Sequence, residues 1–266
     1  MRSPRECGVK GLLYDMIMYN IERGYHMSQN NPVYRRVLLK VSGEALSGGK
    51  GTGLDFAVMK EVCLAIKKCT DLGVQVGIVV GGGNFWRGVK NGEGKMDRTR
   101  ADRMGMMATV MNALALSDVF EQNGVDARVM TATPMPAFGE TFTKEAAVRH
   151  LNKGRVVIFG AGSGNPYFTT DTAGVLRALE IEADAILLAK NIDGVYSADP
   201  NKDPTAVKYD TITYDEMLAQ HLAVMDTAAT SIAMENNLPI EVFALKEPEN
   251  IIRVVMGEKI GTSVVK

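Results

Sequence analysis

The sequence predicts an α/β protein, a three-layer α/β/α sandwich with a mostly parallel central sheet. Six short apolar runs recur along the chain. Each run is too short for a helix and too apolar for a strand with one exposed face, which indicates strands that are buried on both sides. Segments with helical periodicity lie between the runs, and strands that alternate with helices form a parallel sheet covered on both faces.

Each element follows from its local pattern. The apolar runs predict strands over residues 37–41, 74–80, 128–130, 156–159, 185–189 and 240–243. The first helix begins after Asp55, a residue type that caps helices, and ends near Gly73, because the apolar residues between them recur every three or four positions. Further helices are predicted over residues 98–123, 143–152, 170–181, 214–220, 227–236 and 248–256.

The composition is that of a globular protein and argues against several other classes. The 266 residues carry 30 Lys and Arg against 31 Asp and Glu, so the chain lacks the basic excess of a nucleic-acid binder. All apolar stretches are far shorter than the roughly 20 residues of a membrane helix. The 3 cysteines have neither a disulfide framework nor zinc-site spacing. We therefore expect a cytoplasmic protein without nucleic-acid or membrane partners and without metal-ligating residues of its own.

The N-terminus is expected to lie outside the folded domain. Residues 11–19 form an apolar patch that could suggest a signal peptide, but Asp15 interrupts it and no small-residue cleavage site follows. Met27 then begins a stretch that is typical of the start of a folded domain. We expect residues 1–26 to be an extension and residues 27–266 to form a single domain.

Three of the predicted strands end in glycine-rich loops, over residues 42–44, 81–84 and 160–165. Glycine lets backbone N–H groups approach and surround an anion, and ligands of parallel sheets bind beyond the carboxyl ends of the strands. One such loop could simply be a turn. Three at one edge predict several phosphates, such as a nucleoside triphosphate beside a second phosphorylated molecule.

The common nucleotide-binding signatures are incomplete in these loops. A Walker A loop would need glycine where Glu44 stands and a hydroxyl residue where Gly51 stands, on either side of Lys50. Neither of the two later loops completes Gly-x-Gly-x-x-Gly. The His-Arg-Asp and Asp-Phe-Gly motifs of protein kinases do not occur either.

Four charged residues lie beside the loops, and each has a structural alternative. Lys40 interrupts an apolar strand, so its ammonium group must reach either water, by snorkelling, or an anion. Arg87 offers a planar fork for phosphate, although exposed arginines are common. Asp102 could bind a ligand or pair with Arg98, four residues earlier on a helix. Asp171 could cap a helix or orient a catalytic lysine.

Five ordered motifs closely resemble those of the bacterial uridylate (UMP) kinases, which belong to the amino acid kinase fold family. The resemblance covers about residue 32 to the end. The motifs are Lys40-Val-Ser-Gly-Glu-Ala-Leu46, Gly81-Gly-Gly-Asn-Phe-Trp-Arg-Gly88, Ala101-Asp-Arg-Met-Gly-Met106, Gly164-Asn-Pro-Tyr-Phe-Thr-Thr-Asp171 and Asp193-Gly-Val-Tyr-Ser-Ala-Asp-Pro200. The resemblance implies direct in-line transfer of the ATP γ-phosphoryl group to UMP in pyrimidine biosynthesis, with Mg²⁺ carried mainly by the nucleotide phosphates.

The resemblance also assigns residues to each substrate. It implies catalytic roles for Lys40, Arg87 and Asp171. The ATP-binding residues that it implies are Lys40, Val41, Ser42, Gly43, Gly83, Arg87, Lys190, Asn191, Tyr196 and Asp199. The UMP-binding residues that it implies are Gly82, Asp102, Ser163, Gly164, Asn165, Pro166, Tyr167, Phe168, Thr169 and Thr170. The segment from Lys190 to Asp199 could alternatively be an ordinary connection from a strand to a turn.

Regulation and assembly are further implications of the resemblance. It implies that GTP and UTP are effectors and places the GTP region at Gly48, Gly49, Lys50, Gly51, Thr52 and Gly53, a stretch that by itself is typical of a flexible turn. It also implies a homohexamer in which the methionine-rich helix around residues 104–111 forms a subunit contact. Methionines at these positions could instead pack in the core.

Two other functions fit the same motifs. One is a sister kinase that phosphorylates glutamate, aspartate or carbamate, and the motif around Asp102 together with residues 165–171 favours UMP over these acceptors. The other is a nucleotide-binding module without catalysis. The presence of both Lys40 and Asp171 favours an enzyme.

Overall fold

A central sheet organises the residues that the computed structural model describes, which are 31–87, 96–222 and 224–266. The expected extension, residues 1–26, lies outside these ranges. The strands, numbered in chain order, are β1 Arg36–Val41, β2 Gln75–Val80, β3 Ala127–Thr131, β4 Glu140–Thr141, β5 Val156–Gly160, β6 Ala185–Lys190, β7 Val195–Tyr196, β8 Lys208–Tyr209, β9 Thr211–Thr213, β10 Ile240–Ala244 and β11 Thr262–Val265.

Nine of the strands in the described ranges form one sheet, in the spatial order β4-β3-β5-β2-β1-β6-β10-β11-β9. Neighbouring strands run parallel except β10 and β11, which are antiparallel. Strands β7 and β8 form a separate antiparallel pair. The predicted mostly parallel sheet is therefore confirmed.

Helices cover both faces of the sheet. They are α1 Gly43–Leu46, α2 Phe56–Asp71, α3 Arg98–Gln122, α4 Lys144–Leu151, α5 Thr170–Glu180, α6 Tyr214–Ala219, α7 Thr227–Glu235 and α8 Asn250–Val255. Alternate residues of β1 enter different apolar clusters: Leu39 joins the cluster that contains Ile66 of α2, and Leu38 joins the one that contains Val175 of α5. This alternation makes the molecule a three-layer sandwich, as predicted.

The helix ends follow the expected capping chemistry. Asp55 caps α2 by accepting a hydrogen bond from the Ala57 N–H group at 3.0 Å. Gly73, just beyond this helix, has a φ of 82°, a conformation that glycine adopts without strain. Helix α5 is capped by the side chain of Thr169, and Asp171 lies inside its first turn. The capping alternative for Asp171 is thus wrong, because a hydroxyl two residues earlier already fills that role.

The predicted strands are all present, and each differs from its prediction by one residue at one or both ends. Among the strands and α-helices named above, those without a prediction are α1, β4, β7, β8, β9 and β11. Most of these have two or three residues, too few for an alternating pattern to be recognised. Within the described ranges, no helix combines the length and apolarity that a membrane span requires.

The order of the strands brings the three glycine loops to one edge. Strands β5, β2 and β1 are adjacent and parallel, with Gly77 of β2 in register with Leu38 of β1 and Val157 of β5. Their carboxyl ends, where the loops begin, therefore lie side by side. Strand β6 flanks β1 on the other side and brings Lys190 to the same edge.

Candidate active site

The loops after β1 and β2 pack directly against each other through glycine. A Cβ atom on Gly43 would lie 2.6 Å from the carbonyl oxygen of Gly81 and 2.9 Å from the nitrogen of Gly83. On the opposite side, a Cβ atom on Gly82 would lie 2.7 Å from the carbonyl oxygen of Gly105 in α3. Side chains would force these segments apart, so glycine is required for the backbone amides to form one concave surface.

A buried pair of asparagines holds this surface together. Asn84 donates to the side-chain oxygen of Asn112 at 3.0 Å and to the carbonyl oxygen of Gly53 at 2.8 Å. Asn112 donates to the carbonyl oxygen of Gly81 at 2.6 Å. Neither residue was among the sequence-based candidates. Asn84 lies within a quoted motif, but only its burial among loop carbonyls reveals its role.

Lys40 and Asp171 form an ion pair where the sheet edge meets α5. The Lys40 Nζ atom lies 2.8 Å from Oδ1 of Asp171, and only 14% and 19% of the two side chains are exposed. Lys40 is the one partly exposed residue of β1, and the first turn of α5 presents the carboxylate to it. The second alternative for Asp171, that it orients a lysine, agrees with this geometry.

Another aspartate, Asp226, supports the start of α5. It accepts hydrogen bonds from the hydroxyl groups of Thr169 and Thr172, at 3.1 Å for the latter, and from the Ala229 N–H group at 2.9 Å. Asp226 thereby caps α7 and fixes the turn that carries Asp171. Asp226 was not among the sequence-based candidates, because its link between the two helices depends on their tertiary arrangement.

Lys190 lies at the end of β6, near the Lys40–Asp171 pair. The pKa of Lys190 is lowered overall, chiefly by burial. The negative charge of Asp171 opposes this effect, and the positive charge of Lys40 adds to it. Its ammonium group donates a hydrogen bond to the carbonyl oxygen of Val224. Two lysines and one aspartate therefore share this part of the edge, which leaves it positively charged and suited to phosphate.

Arg87 pairs with a carboxylate of the neighbouring loop. Its guanidinium group contacts Oε1 of Glu44, and both side chains are exposed. Arg87 and Glu44 line the same cleft as Lys40. Because the pair is exposed, its free energy is small, and an incoming phosphate could replace the carboxylate at little cost.

Asp102 faces the cleft from the first turns of α3. Its carboxylate accepts hydrogen bonds from the Arg98 Nε group at 2.8 and 2.9 Å, so the expected helix-face pair is present. It also accepts the backbone N–H group of Tyr167 at 2.9 Å. The pair with Arg98 lies within the cleft, and ligand binding by Asp102 stays a prediction.

The loop after β5 is tied to α3 at a second point. The Ala161 N–H group donates to the Thr109 hydroxyl oxygen at 2.8 Å, and that hydroxyl donates to the carbonyl oxygen of Met106 at 2.7 Å. Trp86 adds a contact to the same helix by donating to the carbonyl oxygen of Ala101 at 2.8 Å. Thr109 and Trp86 were also missed: Thr109 is a buried polar residue on a helix, a position without a sequence signature, and the contact of Trp86 with α3 depends on the tertiary structure.

A cleft of about 510 Å³ is lined by eleven of the residues predicted for catalysis or substrate binding. Those that line it are Lys40, Ser42, Gly43, Gly82, Gly83, Arg87, Asp102, Ser163, Phe168, Thr169 and Thr170. Val41 is fully buried behind it. The four residues from Gly164 to Tyr167 belong to the same loop, with Gly164 and Tyr167 at positive φ angles of 83° and 73°.

A second cavity, of about 480 Å³, lies on the β6 side of the edge. Lys190, Tyr196 and Asp199 line it, whereas Asn191 is an exposed residue of the following turn. Tyr196 donates to Oδ1 of Asp193 at 2.7 Å, which orders the turn. The segment is therefore a strand-to-turn connection that also encloses a cavity.

The glycine-rich stretch Gly48–Gly53 contacts the loop after β2 through Asn84. The Gly53 N–H group and the Thr52 hydroxyl both donate to the carbonyl oxygen of Asn84, at 3.1 and 2.9 Å. Lys50 pairs with Asp55 at 3.2 Å. The stretch is therefore linked through Asn84 and Asn112 to Gly81, which lines the cleft.

The comparisons with known proteins agree with this architecture. The model of the amino acid kinase family matches residues 35–244. A crystal structure of UMP kinase from Bacillus anthracis superimposes with a TM-score of 0.84 at 40% identity, covering 87% of this chain and 96% of the other. UMP kinase from Ureaplasma parvum gives 0.83 at 38% identity, with 87% and 99% coverage.

A more distant structure extends the likeness to archaea. Uridylate kinase from Archaeoglobus fulgidus has a TM-score of 0.68 at 30% identity, covering 86% of this chain and 99% of that one. The family model spans well over half of the chain, and the two bacterial structures match it over nearly their whole length. The chain therefore belongs to the amino acid kinase family.

Proposed function

We propose that this protein is a UMP kinase, which transfers the γ-phosphoryl group of ATP to UMP and yields ADP and UDP in pyrimidine nucleotide biosynthesis. The observation that carries the proposal is the Lys40–Asp171 pair, because its lysine lines the cleft in which two glycine loops meet and which Asp102 also lines. The similarity to solved UMP kinases at 40% and 38% identity supports the choice of acceptor.

The reaction needs charge compensation rather than a base. A phosphate oxygen of UMP attacks the γ-phosphorus of ATP, and the bond from that phosphorus to the bridging oxygen breaks, with its electron pair remaining on ADP. The second pKa of a phosphate monoester lies near 6, so UMP is largely dianionic at neutral pH and no proton must be removed. The protein therefore has to align two anions and stabilise the transferring group.

On the ATP side, Lys40 contacts the transferring oxygens and Asp171 holds its ammonium group in place. The backbone of Val41, Ser42, Gly43 and Gly83 surrounds the phosphates, and Arg87 exchanges Glu44 for phosphate oxygens. The adenosine moiety occupies the second cavity, beside Lys190, Asn191, Tyr196 and Asp199. Lys190 lies between the cleft and the second cavity, since it lines the cavity and lies near the Lys40–Asp171 pair.

On the UMP side, Gly82 allows close approach to the phosphate, and Asp102 accepts hydrogen bonds from the ribose hydroxyl groups. The loop from Ser163 to Thr170 surrounds the nucleotide. Ser163 and Thr170 support this placement, because both line the cleft that Asp102 faces. A carboxylate is suited to this role, since its two oxygens can accept from two vicinal hydroxyl groups.

Magnesium is proposed to enter with ATP. The described residues contain no group of three His, Cys, Asp or Glu side chains that could enclose a metal ion, and Mg²⁺ usually binds substrate phosphates while keeping several waters. An ion held mainly by the nucleotide fits this donor set, and the Asp171 carboxylate beside Lys40 would help to hold it. The ion would neutralise charge on the phosphates.

A homohexamer is proposed for the assembled enzyme. Helix α3 exposes an apolar stripe formed by Met104, Met107, Met111 and Leu114, whose exposed fractions are 41%, 46%, 49% and 37%. Their spacing of three, four and three residues places them on one helix face, and contiguous apolar faces typically mark interfaces. A solution mass equal to one chain would contradict this assembly.

GTP and UTP are proposed as effectors, with GTP acting through Gly48–Gly53. The support is structural continuity: this stretch is hydrogen bonded to Asn84, which in turn holds the phosphate loops.

The proposed domain arrangement is an extension of residues 1–26 and a catalytic domain of residues 27–266. The proposed location is the cytoplasm, where thiols stay reduced, and Cys63 is a free thiol. Burial raises the pKa of this thiol to about 11, which keeps it protonated.

One assay separates this function from its alternatives. Release of ADP is followed through a coupled reaction with UMP, CMP, glutamate, aspartate or carbamate as the acceptor. We expect turnover with UMP that exceeds every other rate. Turnover with only an amino acid or carbamate would identify a sister kinase, and ATP binding without any turnover would identify a sensing module.

A further inference from the structure

Three contacts connect Arg98, Asp102 and Tyr167 at the edge of the cleft. The Nε group of Arg98 donates to both carboxylate oxygens of Asp102, at 2.9 and 2.8 Å. The guanidinium carbon of Arg98 lies 5.2 Å from the centre of the Tyr167 ring. The Tyr167 N–H group donates to Oδ2 of Asp102 at 2.9 Å and so completes the triangle.

We propose that Arg98 is a positioning residue for the acceptor nucleotide, which acts by holding Asp102 and the loop of Tyr167 in their binding geometry. The inference rests on the proposed function, because it takes Asp102 as the acceptor of ribose hydrogen bonds. Arg98 itself lines the cleft. It connects the first turn of α3 with the loop after β5, two elements that approach UMP from different sides.

The burial of Asp102 sets this pair apart from an ordinary ion pair along a helix. Only 12% of the Asp102 side chain is exposed, against 41% of Arg98. A carboxylate that is mostly withdrawn from water requires compensating donors, and the loss of one leaves the charge poorly satisfied. Without Arg98, Asp102 would turn toward solvent and present a different oxygen arrangement to the ribose.

The conformation of Tyr167 provides the second argument. Its φ of 73° is a left-handed backbone angle that non-glycine residues seldom adopt, so the surrounding contacts must maintain it. The Arg98 guanidinium group over its ring and the Asp102 carboxylate on its N–H group are two such contacts. Loss of Arg98 removes the first contact and weakens the second, and the loop then leaves its binding conformation.

The inference is tested with Arg98→Ala in the full chain, and Arg100→Ala is the matched control. Arg100 carries the same charge in the same turn of α3 and is exposed. We expect Arg98→Ala to raise the KM for UMP about 10-fold, with the KM for ATP and kcat changed less than about 3-fold. Titration calorimetry with UMP alone should show an equal loss of affinity. Arg100→Ala should behave as wild type.

Arg98→Lys distinguishes geometry from charge. Lysine keeps the positive charge but has no planar fork for the carboxylate and stacks poorly on a ring. We expect this variant to retain most of the rise in KM while it melts at the wild-type temperature. A Lys variant with the wild-type KM for UMP would overturn the positioning role, because charge alone would then suffice.

A double-mutant cycle with Asp102→Asn identifies the route of the effect. In that background, we expect Arg98→Ala to weaken UMP binding less than about 3-fold, since the group that it positions is already altered. An undiminished 10-fold loss would overturn the inference. If the wild-type chain releases no ADP in the presence of UMP, both the proposed function and this inference are overturned. If the wild-type chain is active and Arg98→Ala binds UMP equally well, the inference alone is overturned.

Discussion

The ammonium group of Lys40 and the carboxylate of Asp171 lie 2.8 Å apart, one at the end of a central strand and the other in the first turn of a distant helix. Because most of both side chains is buried, the pair fixes the direction of the lysine before any nucleotide binds. A preorganised cation of this kind stabilises charge that develops in the transition state without first having to reorganise. The pair is therefore the centre of the proposed chemistry.

Lys40→Ala should abolish most turnover while it spares UMP binding. The expected fall in kcat is about 100-fold to 1,000-fold, the usual cost of removing one preorganised donor from a transition state. The KM for UMP should change less than about 3-fold, since Lys40 is assigned to the transferring group. Steady-state kinetics tests this, with the exposed Lys60→Ala as the control. Unchanged turnover would exclude Lys40 from the mechanism.

Asn84→Ala should destabilise the fold as well as the site. The change removes the donors to Asn112 and to the Gly53 carbonyl group and leaves buried acceptors without partners. The expected loss is about 2 to 3 kcal/mol in the free energy of unfolding, measured by urea denaturation. Asn201→Ala, at an exposed position, should change the same quantity by about 0.5 kcal/mol or less. Equal effects of the two would show that the buried pair contributes little.

Gly43→Ala should impair ATP binding by separating the two phosphate loops. The added methyl group would lie 2.6 Å from the Gly81 carbonyl oxygen and would overlap Asn84, so the loop after β2 must move. We expect the KM for ATP to rise about 10-fold or more, since small displacements near reacting groups are costly. Gly174→Ala is the control, because the nearest neighbour of the added methyl group would be a methyl group of Leu38 at 3.6 Å, an ordinary contact. Wild-type kinetics of Gly43→Ala would argue against close packing of the loops.

Asp193 should contribute stability that depends on pH. The hydrogen bond from Tyr196 lowers the pKa of Asp193, burial opposes this, and the hydrogen bond from Lys208 lowers the pKa further. A carboxyl group with a lowered pKa stabilises the fold fully above its ordinary value of 3.8 and loses this contribution as pH falls through the folded-state value.

Asp193→Asn provides the measurement. Between pH 5 and 8 the variant should be less stable than wild type by about 0.5 kcal/mol or less, because the side chain is half exposed and solvent screens the pair. Below the ordinary pKa the two unfolding free energies should converge. A difference that persists unchanged at the lowest pH would show that the carboxylate charge is not its cause.

Much of the architecture could be predicted because it is encoded locally. The predicted strands and helices all occur, since a repeat of two or 3.6 residues places apolar side chains on one face wherever the segment lies in the chain. The three glycine loops were placed at one edge from the same reasoning, because parallel strands end on the same side. The short strands such as β4 and β7 were missed for lack of any period.

The sequence by itself determined the α/β class, the glycine loops and the residue types able to bind phosphate. Only the tertiary structure decided their partners: Glu44 for Arg87, Asn112 for Asn84, and Tyr167 for both Arg98 and Asp102. The physical reason is that these contacts depend on which strands are neighbours in the sheet, and therefore on which loops and helices meet at its edge. Local periodicity specifies which face of an element is buried, and it carries no information about which distant element will cover that face.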